Sequence, residues 1–336
     1  MSEDTSTDEL VPSGVLPQDA LADDALGDDA VVQDDLSDDE ESLDHSSHPV
    51  LSDLTDEQLE LFRAAWVDVS PERKAELLGI LTDLTEDNVE LNFSSVFTIG
   101  MSDPDDAVRE LAVKGLWESE DRTLIRPLTR LLSRDPSPAV RAAAAMSLRP
   151  FAERAQRGKL IDRDAKRVRE ALIAAIIRAG DDVEVTRRAV EAVGYFTGDD
   201  VDQVITAAQL SGDPLLRQSA LFAMGNASHL VWIQVLINAL DDDDAAIRYE
   251  AAGALGRLGE SSAVAHLVPL LKDDDTQVQL AVAAALGAIG GDLAKRALRV
   301  CLELGDEPLE QAARTALADA EFENDPLGVN FEERPE

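Results

Sequence analysis

The sequence predicts an all-α chain: an α-solenoid of about seven stacked helical hairpins, with a helical cap at its N-terminal side. Three observations predict it. Apolar residues recur at a nearly constant period of 31 residues, the mark of stacked supersecondary units. Within each period the apolar positions follow helical rather than strand spacing. The apolar set, 45% of the chain, is rich in Ala and Leu with only 4% aromatics, which suits closely packed helices better than β-sheets.

Residues 1–50 form the first segment. They hold 16 of the 68 Asp and Glu and none of the 30 Lys and Arg. Repulsion between blocks such as Asp34–Asp35 and Asp38–Glu41 predicts a disordered acidic tail, since too little apolar surface is available to offset ordering entropy. Leu21, Leu26, Val31, Val32, Leu36 and Leu43 recur between the acids, a pattern that also occurs in docking segments. Residues 55–86 read as a capping helix pair. Thr55 with Gln58 fits a capping box, and Ser70–Pro71 puts a cap residue before Pro at the first helical position. Leu59, Phe62, Trp66 and Val69 line one face, and Leu77, Leu78, Leu81 and Leu84 line the next.

The repeats occupy residues 89–320. One apolar anchor near the start of each second helix aligns them: Val108, Val140, Val185, Leu216, Ile247, Val278 and Leu309, with spacings of 32, 45, 31, 31, 31 and 31. Four residues after the anchor stand Ala112, Ala144, Ala189, Ala220, Ala251, Val282 and Ala313. Eight after it stand Leu116, Leu148, Val193, Met224, Leu255, Leu286 and Leu317. Offsets 0, 4 and 8 fall within about 80° of arc, so they define the buried face. At offset nine stand Gly194, Gly225, Gly256 and Gly287, near where each helix is expected to end. First helices keep their own apolar column: Phe97, Ala174, Ile205, Leu236, Leu267 and Leu298, broken by Thr129.

Short polar turns join the paired helices: Ser102–Asp106, Arg134–Pro138, Asp241–Asp244 and Asp273–Thr276. An Asp-containing turn, an apolar-Arg pair, Ala, then Leu-Gly recurs, most fully at Asp242, Ile247–Arg248, Ala251 and Leu255–Gly256, and in part at Asp135, Val140–Arg141, Ala144 and Leu148. This pattern resembles the HEAT-like repeats of the phycobiliprotein-lyase type. The resemblance implies a right-handed solenoid whose Asp and Arg residues bond within and between repeats. Arg109, Arg141, Arg217 and Arg248 match that pattern. Thr186, Gln279 and Glu310 do not, so the ladder is expected to break there. For activity the resemblance implies little, because such repeats serve many functions. Phycobilin-lyase-like subunits remain the alternative it leaves open.

The 45-residue spacing is a repeat plus a 14-residue insertion, at about 150–164. Residues 149–169 carry eight Lys and Arg against three acids. Arg154, Arg157, Lys159, Arg163, Lys166 and Arg167 are therefore expected to dock the acidic tail or an acidic partner. Residues 321–336 lack the repeat columns and are expected to be a C-terminal tail, with Phe322 or Phe331 covering the last repeat.

No catalytic constellation is present in the sequence. The histidines are His45, His48, His229 and His266, and no metal-binding, phosphate-loop or nucleophile-elbow motif occurs. Deoxyhypusine hydroxylases share the architecture but carry repeated His-Glu pairs for two irons, and this chain has no His-Glu dipeptide. Cys301 falls in a first-helix column with Leu132, Ile177, Ala208, Ala239 and Leu270, and reads as a buried small hydrophobe. One cysteine excludes an internal disulfide. His266 falls beside Val96, Leu128, Ile173, Val204 and Val235 and reads as half-buried core. No catalytic, metal or cofactor-binding residue and no cofactor is expected.

A net charge of −38 argues against nucleic acid and against an anionic membrane surface as partners. No apolar run is long enough to span a bilayer, and no signal peptide is visible, so the expected location is cytoplasmic. Offsets two and six point away from the core, and most of their residues are polar. Phe222, Tyr249 and Leu280 break that rule on three successive repeats, with Tyr195, Asn226 and Arg257 beside them at offset ten. Met146 is a further apolar residue at offset six. Together these predict a partner-binding row. The expected function is a non-catalytic scaffold or adaptor binding a segment of another protein.

Overall fold

A computed structural model describes residues 48–178, 182–227, 229–303 and 306–324. Residues 1–47 of the acidic tail and Phe331 lie outside the described residues, and nothing is assigned to the side chain of Phe322; residues 48–50, expected to be disordered, belong to the 3-10 segment His48–Leu51. All regular structure among the described residues is helical, and the fold is an α-solenoid. Contacts divide the chain into two compact units, residues 1–112 and 113–336.

The first unit contains α1 (Asp56–Trp66), α2 (Pro71–Asp87), α3 (Ser94–Gly100) and most of α4 (Asp106–Lys114). Thr55 forms the capping box with Gln58, each side chain accepting from the other's backbone N–H. The Ser70 hydroxyl accepts from the Arg73 amide, with Pro71 in the first turn. Phe62, Trp66, Leu77, Leu78, Leu81, Phe93, Phe97, Val108 and Ala112 are buried. This core contains the ion pair of Lys74 Nζ with Asp103 Oδ2 at 3.0 Å, both side chains buried. Trp66 Nε1 donates to the same oxygen at 2.8 Å, and the Lys74 ammonium sits 5.3 Å from the Trp66 ring centroid. Asp103 Oδ1 accepts from the Asp105 amide. The carboxylate is thus saturated, which is the condition for burying it without a large desolvation penalty.

The second unit contains α5 (Ile125–Arg134), α6 (Pro138–Ser147), α7 (Arg149–Gln156), α8 (Asp162–Arg178), α9 (Val183–Val193), α10 (Asp199–Gln209), α11 (Pro214–Asn226), α12 (Ile233–Ala239), α13 (Ala245–Leu258), α14 (Val264–Leu267), α15 (Thr276–Ile289), α16 (Gly291–Cys301) and α17 (Glu307–Asn324). Second helices stack in chain order, α6 on α9, then α11, α13, α15 and α17, and each first helix packs on its own partner. Helix α17 continues four residues past the expected end of the last repeat.

The glycine column lies within two residues of each helix end, as expected, but does more than mark that end. Gly225, Gly256 and Gly287 lie inside helices, and Gly194 at the end of α9 is also right-handed. Their role is contact. A Cβ on Gly256 would stand 2.8 Å from the Ala285 Cα, and one on Gly225 would stand 2.7 Å from the Ala254 Cα. Gly194 faces Ala223 and Gly287 faces Ala316 in the same manner. Offset nine of one helix therefore meets offset seven of the next, an Ala position in each of these repeats. In α6 offset seven is Ser147, fully buried, whose hydroxyl donates to the Val113 carbonyl at 3.0 Å.

Two first helices depart from the expected register. Ala174 is exposed and Ile177 is 73% exposed, whereas Val168, Leu172 and Ala175 are buried. Leu172 stands thirteen residues before its anchor Val185, against eleven for Ile205, Leu236, Leu267 and Leu298 before theirs, so the buried set lies further back along the helix. In α5 the buried residue is Leu128, one position before Thr129. His266 is exposed rather than half-buried. It lies in a single α-turn followed by the 3-10 segment Val268–Lys272, so α-helical register does not carry past it. Cys301 is buried, and burial pushes its thiol pKa up.

Gly→Ala inside a helix normally gains stability by up to about 1 kcal/mol. At Gly256 the opposite sign is expected. Gly256→Ala should lose about 1–3 kcal/mol by forcing α13 and α15 apart, measured by urea denaturation, while Gly79→Ala, whose Cβ would meet nothing within 4 Å, should not destabilise.

Candidate partner-binding surface

The turns between paired helices hold the surface in register. Arg248 Nη1 donates to the carbonyls of Asp242 and Asp243 at 2.8 and 3.2 Å, closing its own turn. Its Nε and Nη2 donate to the Asp273 carboxylate of the next repeat at 2.8 and 2.7 Å. Arg217 pairs with the Asp242 carboxylate in the same sense. Arg141 and Arg109 each bond two carbonyls of their own turns. Gln279 keeps only the bond within its own turn: its Nε2 donates to the Asp273 carbonyl at 2.6 Å, an amide replacing the guanidinium. Thr186 turns back on its own helix, donating to the Asp182 carbonyl.

Bonding to Arg248 is the largest cause holding the Asp273 carboxyl below the usual range, against burial, and the same bond raises the Arg248 pKa. For Asp242 burial acts upward most strongly, but the Asp244 amide and Arg217 together outweigh it and the pKa is lowered. A carboxyl depressed in the fold contributes stability above its unfolded pKa of about 3.9 and loses it as pH falls through the folded value. Asp273→Asn is therefore expected to lower stability by about 2 kcal/mol at neutral pH. Its melting temperature should converge with that of the parent chain below about pH 4, followed by circular dichroism across pH.

The predicted row sits on α11, α13 and α15, which pack in succession. Tyr249 is 43% exposed, the one aromatic among the large exposed apolar residues described. Leu280 holds the same register position on α15 and is half-buried. Phe222, one turn further along α11, is half-buried beneath the Arg257 guanidinium, 4.8 Å from its ring centroid. Arg257 is itself tied to Glu250 at 2.8 Å. The Asn226 side chain bonds the Phe222 carbonyl, so it is committed to its own helix. Met146 is half-buried on α6, separated from the row by α9.

Sequence reasoning missed the course of the insertion. Residues 149–156 form α7, which packs on α8 and α9 with Phe151 and Ala152 buried. Its last residue, Gln156, donates to the Asn226 carbonyl at 2.6 Å, so α7 runs beside the offset-ten positions. Tyr195 is half-buried there; burial raises its pKa, and the charges that act on it come from Arg149, Glu153, Arg257 and Arg157. Spacing located the insertion; the signal for its packing was the apolar pair Phe151–Ala152 at the start of a basic stretch. Its basic residues are largely matched: Arg154 to Glu120, Arg157 to Glu153, Lys166 to Glu170, and Arg163 and Arg167 to Asp164. Lys159 is exposed.

A shallow cavity of about 620 Å3 opens on the same second-helix side between α15 and α17, lined by Ala284, Gly287, Ala288, Ala312, Thr315, Ala316 and Asp319. Among the described residues no group of three or more His, Cys, Asp or Glu is placed to hold a metal. No helix among them is long and apolar enough to cross a membrane.

Stacked hairpins of this period, with a bonded turn ladder, define a helical-repeat protein. The family description "HEAT repeats" matches residues 95–177 and 233–318, and the chain belongs to the HEAT-repeat family. No curated protein matches it in sequence. Among solved structures it is similar to yeast importin-beta (Kap95p), at 13% identity over 90% of this chain and 47% of that one, TM-score 0.56. A second importin-beta structure matches at 14% identity over 87% of this chain and 46% of that one, TM-score 0.52. An engineered protein matches at 19% identity over 89% of both chains, TM-score 0.44.

Proposed function

We propose that the chain is a non-catalytic scaffold or adaptor of the cytoplasm that binds a segment of another protein along the second-helix face of its repeats. HEAT solenoids are typical protein-interaction scaffolds, and this supports the class of function. The observation that carries the reading is the exposed ring of Tyr249, with Leu280 at the matching position of the next repeat and Phe222 under a cation one repeat before. An exposed aromatic beside half-buried apolar residues and a guanidinium is the composition of interface hot spots.

Tyr249→Ala alone should lower partner capture from native extract by at least about tenfold without changing the melting temperature, since the ring is largely outside the core. Phe222→Ala with Tyr249→Ala should abolish capture. Equal recovery of the same polypeptide by Tyr249→Ala and by the parent chain, judged by quantitative mass spectrometry, would remove the proposal.

A second reading rests on the cavity between α15 and α17 and on the phycobiliprotein-lyase type of the turn pattern. On this reading the face serves an associated enzyme by holding a client protein or prosthetic group. Protein purified from its native host should then carry visible absorbance that Ala284→Trp, which fills the cavity, removes. Colourless protein recovered together with a polypeptide supports the scaffold instead.

A further inference from the structure

We propose that the cleft between α5 and α8 docks an acidic, extended polypeptide segment of a partner protein. It is a second surface, built from first helices, and does not rest on the second-helix row. The cleft, of about 570 Å3, is lined by Arg126, Thr129, Arg130, Ser133, Arg134 and Arg167.

Acids outnumber bases 68 to 30 in this protein, and more than half of the described arginines reach a carboxylate. Arg122, Arg154, Arg169, Arg217 and Arg248 each reach a carboxylate. Arg126, Arg130 and Arg134 are exposed and have no ion pair among the described residues. They stand at i, i+4 and i+8 on one face of α5, a spacing at which like charges repel and weaken the helix. Arg167 closes the other side from α8. It comes within only 4.0 Å of Asp164, and that carboxylate is already held by Arg122 at 2.6 Å. The hydroxyls of Thr129 and Ser133 donate to carbonyls of their own helix. The guanidiniums of Arg126, Arg130 and Arg134 are therefore the free donors of the cleft, and their counter-charge has to come from elsewhere.

Spacing identifies the occupant. Successive arginines on α5 rise about 6 Å along the helix. Alternate side chains of an extended chain point the same way about 6.6–6.8 Å apart. A peptide with an acid at every second residue thus presents one carboxylate to each guanidinium, which binds such groups through paired donors. Single-stranded nucleic acid offers a similar phosphate spacing, but its binding sites add aromatic stacking platforms, and no aromatic lines this cleft. The net charge of −38 also opposes a polyphosphate at long range, whereas a few carboxylates at contact lie well within the screening length. The sequence drew attention to the insertion, where most of the arginines prove to be matched by acids; three unmatched arginines at successive turns lie instead on α5.

The test uses the full chain and a short fluorescein-labelled peptide of alternating glutamate and serine, read by fluorescence anisotropy. Binding at low salt that weakens as salt is raised is expected. Arg130→Ser with Arg134→Ser should weaken it at least about tenfold, with circular dichroism showing the helices intact. Arg157→Ser with Lys159→Ser on the insertion should change it less than about twofold, and the sequence-scrambled peptide with its acids clustered at one end should bind more weakly. The proposal is overturned if the probe fails to bind, or if the insertion variant loses as much affinity as the α5 variant. It is overturned equally if oligothymidine binds as tightly as the peptide, or if the probe binds only after residues 1–47 are deleted, which would make this chain's own acidic segment the occupant.

Discussion

Close approach between successive second helices is the constraint on which the repeat stack depends. Gly194, Gly225, Gly256 and Gly287 lack the one atom that would collide with Ala223, Ala254, Ala285 and Ala316 on the neighbouring helix. Glycine in a helix interior costs conformational entropy, so its recurrence there needs a compensating gain. The gain is dispersion contact along helices packed backbone to backbone. With that spacing fixed, the apolar residues at offsets zero, four and eight meet at core density and the turns fall beside one another.

The turns then add direction. Hydrophobic contact alone would allow one hairpin to slide along the next at small cost. The Arg217–Asp242 and Arg248–Asp273 pairs tie one turn to the next, while the carbonyl bonds of Arg248 and Gln279 close their own turns. Partial burial makes these bonds directional and stronger than surface pairs. Aspartates such as Asp244 and Asp275 also cap the next helix by accepting its first amides. One short acidic segment therefore ends a helix, starts the next and fixes register with its neighbour.

This division of labour explains what the sequence made legible. The 31-residue period and the core columns need no knowledge of tertiary contacts, because a helix face follows from offset alone. Glycine at offset nine was visible, but its two uses, ending a helix or admitting a neighbour, look the same in sequence. Only the neighbouring Ala column at offset seven, meeting it across the interface, separates them. Ala174 and Ile177 were misplaced because the buried set of α8 stands two residues further from its anchor than in later repeats, a change of register that composition does not reveal. Gln279 is not arginine, yet its amide reaches the corresponding carbonyl of its own turn, a partial substitution that a search for arginine alone passes over. For the candidate surfaces, Phe222, Tyr249 and Leu280 were readable as departures from a polar column. The α5 arginines were not, because whether a charge is matched depends on residues more than thirty positions away, as in Arg122 with Asp164 and Arg154 with Glu120.

Because offsets zero, four, seven, eight and nine carry the stack and offset one carries the turns, offsets two, six and ten on the second helices and the outer face of the first helices are released from structural duty. Residues there default to small or polar types, as Gly253, Ala284, Gln311 and Thr315 do. An aromatic ring left 43% exposed at one such position, or three unmatched arginines at successive turns, is not required by the fold and works slightly against it. In a repeat protein the informative residues are those that the repeat rule does not call for, and here they gather into two separate patches: an aromatic and aliphatic row on second helices and a cationic cleft on first helices. The two patches differ in chemistry as well as in place, so a single partner engaging both would present an apolar anchor and an acidic extended stretch on different parts of its chain.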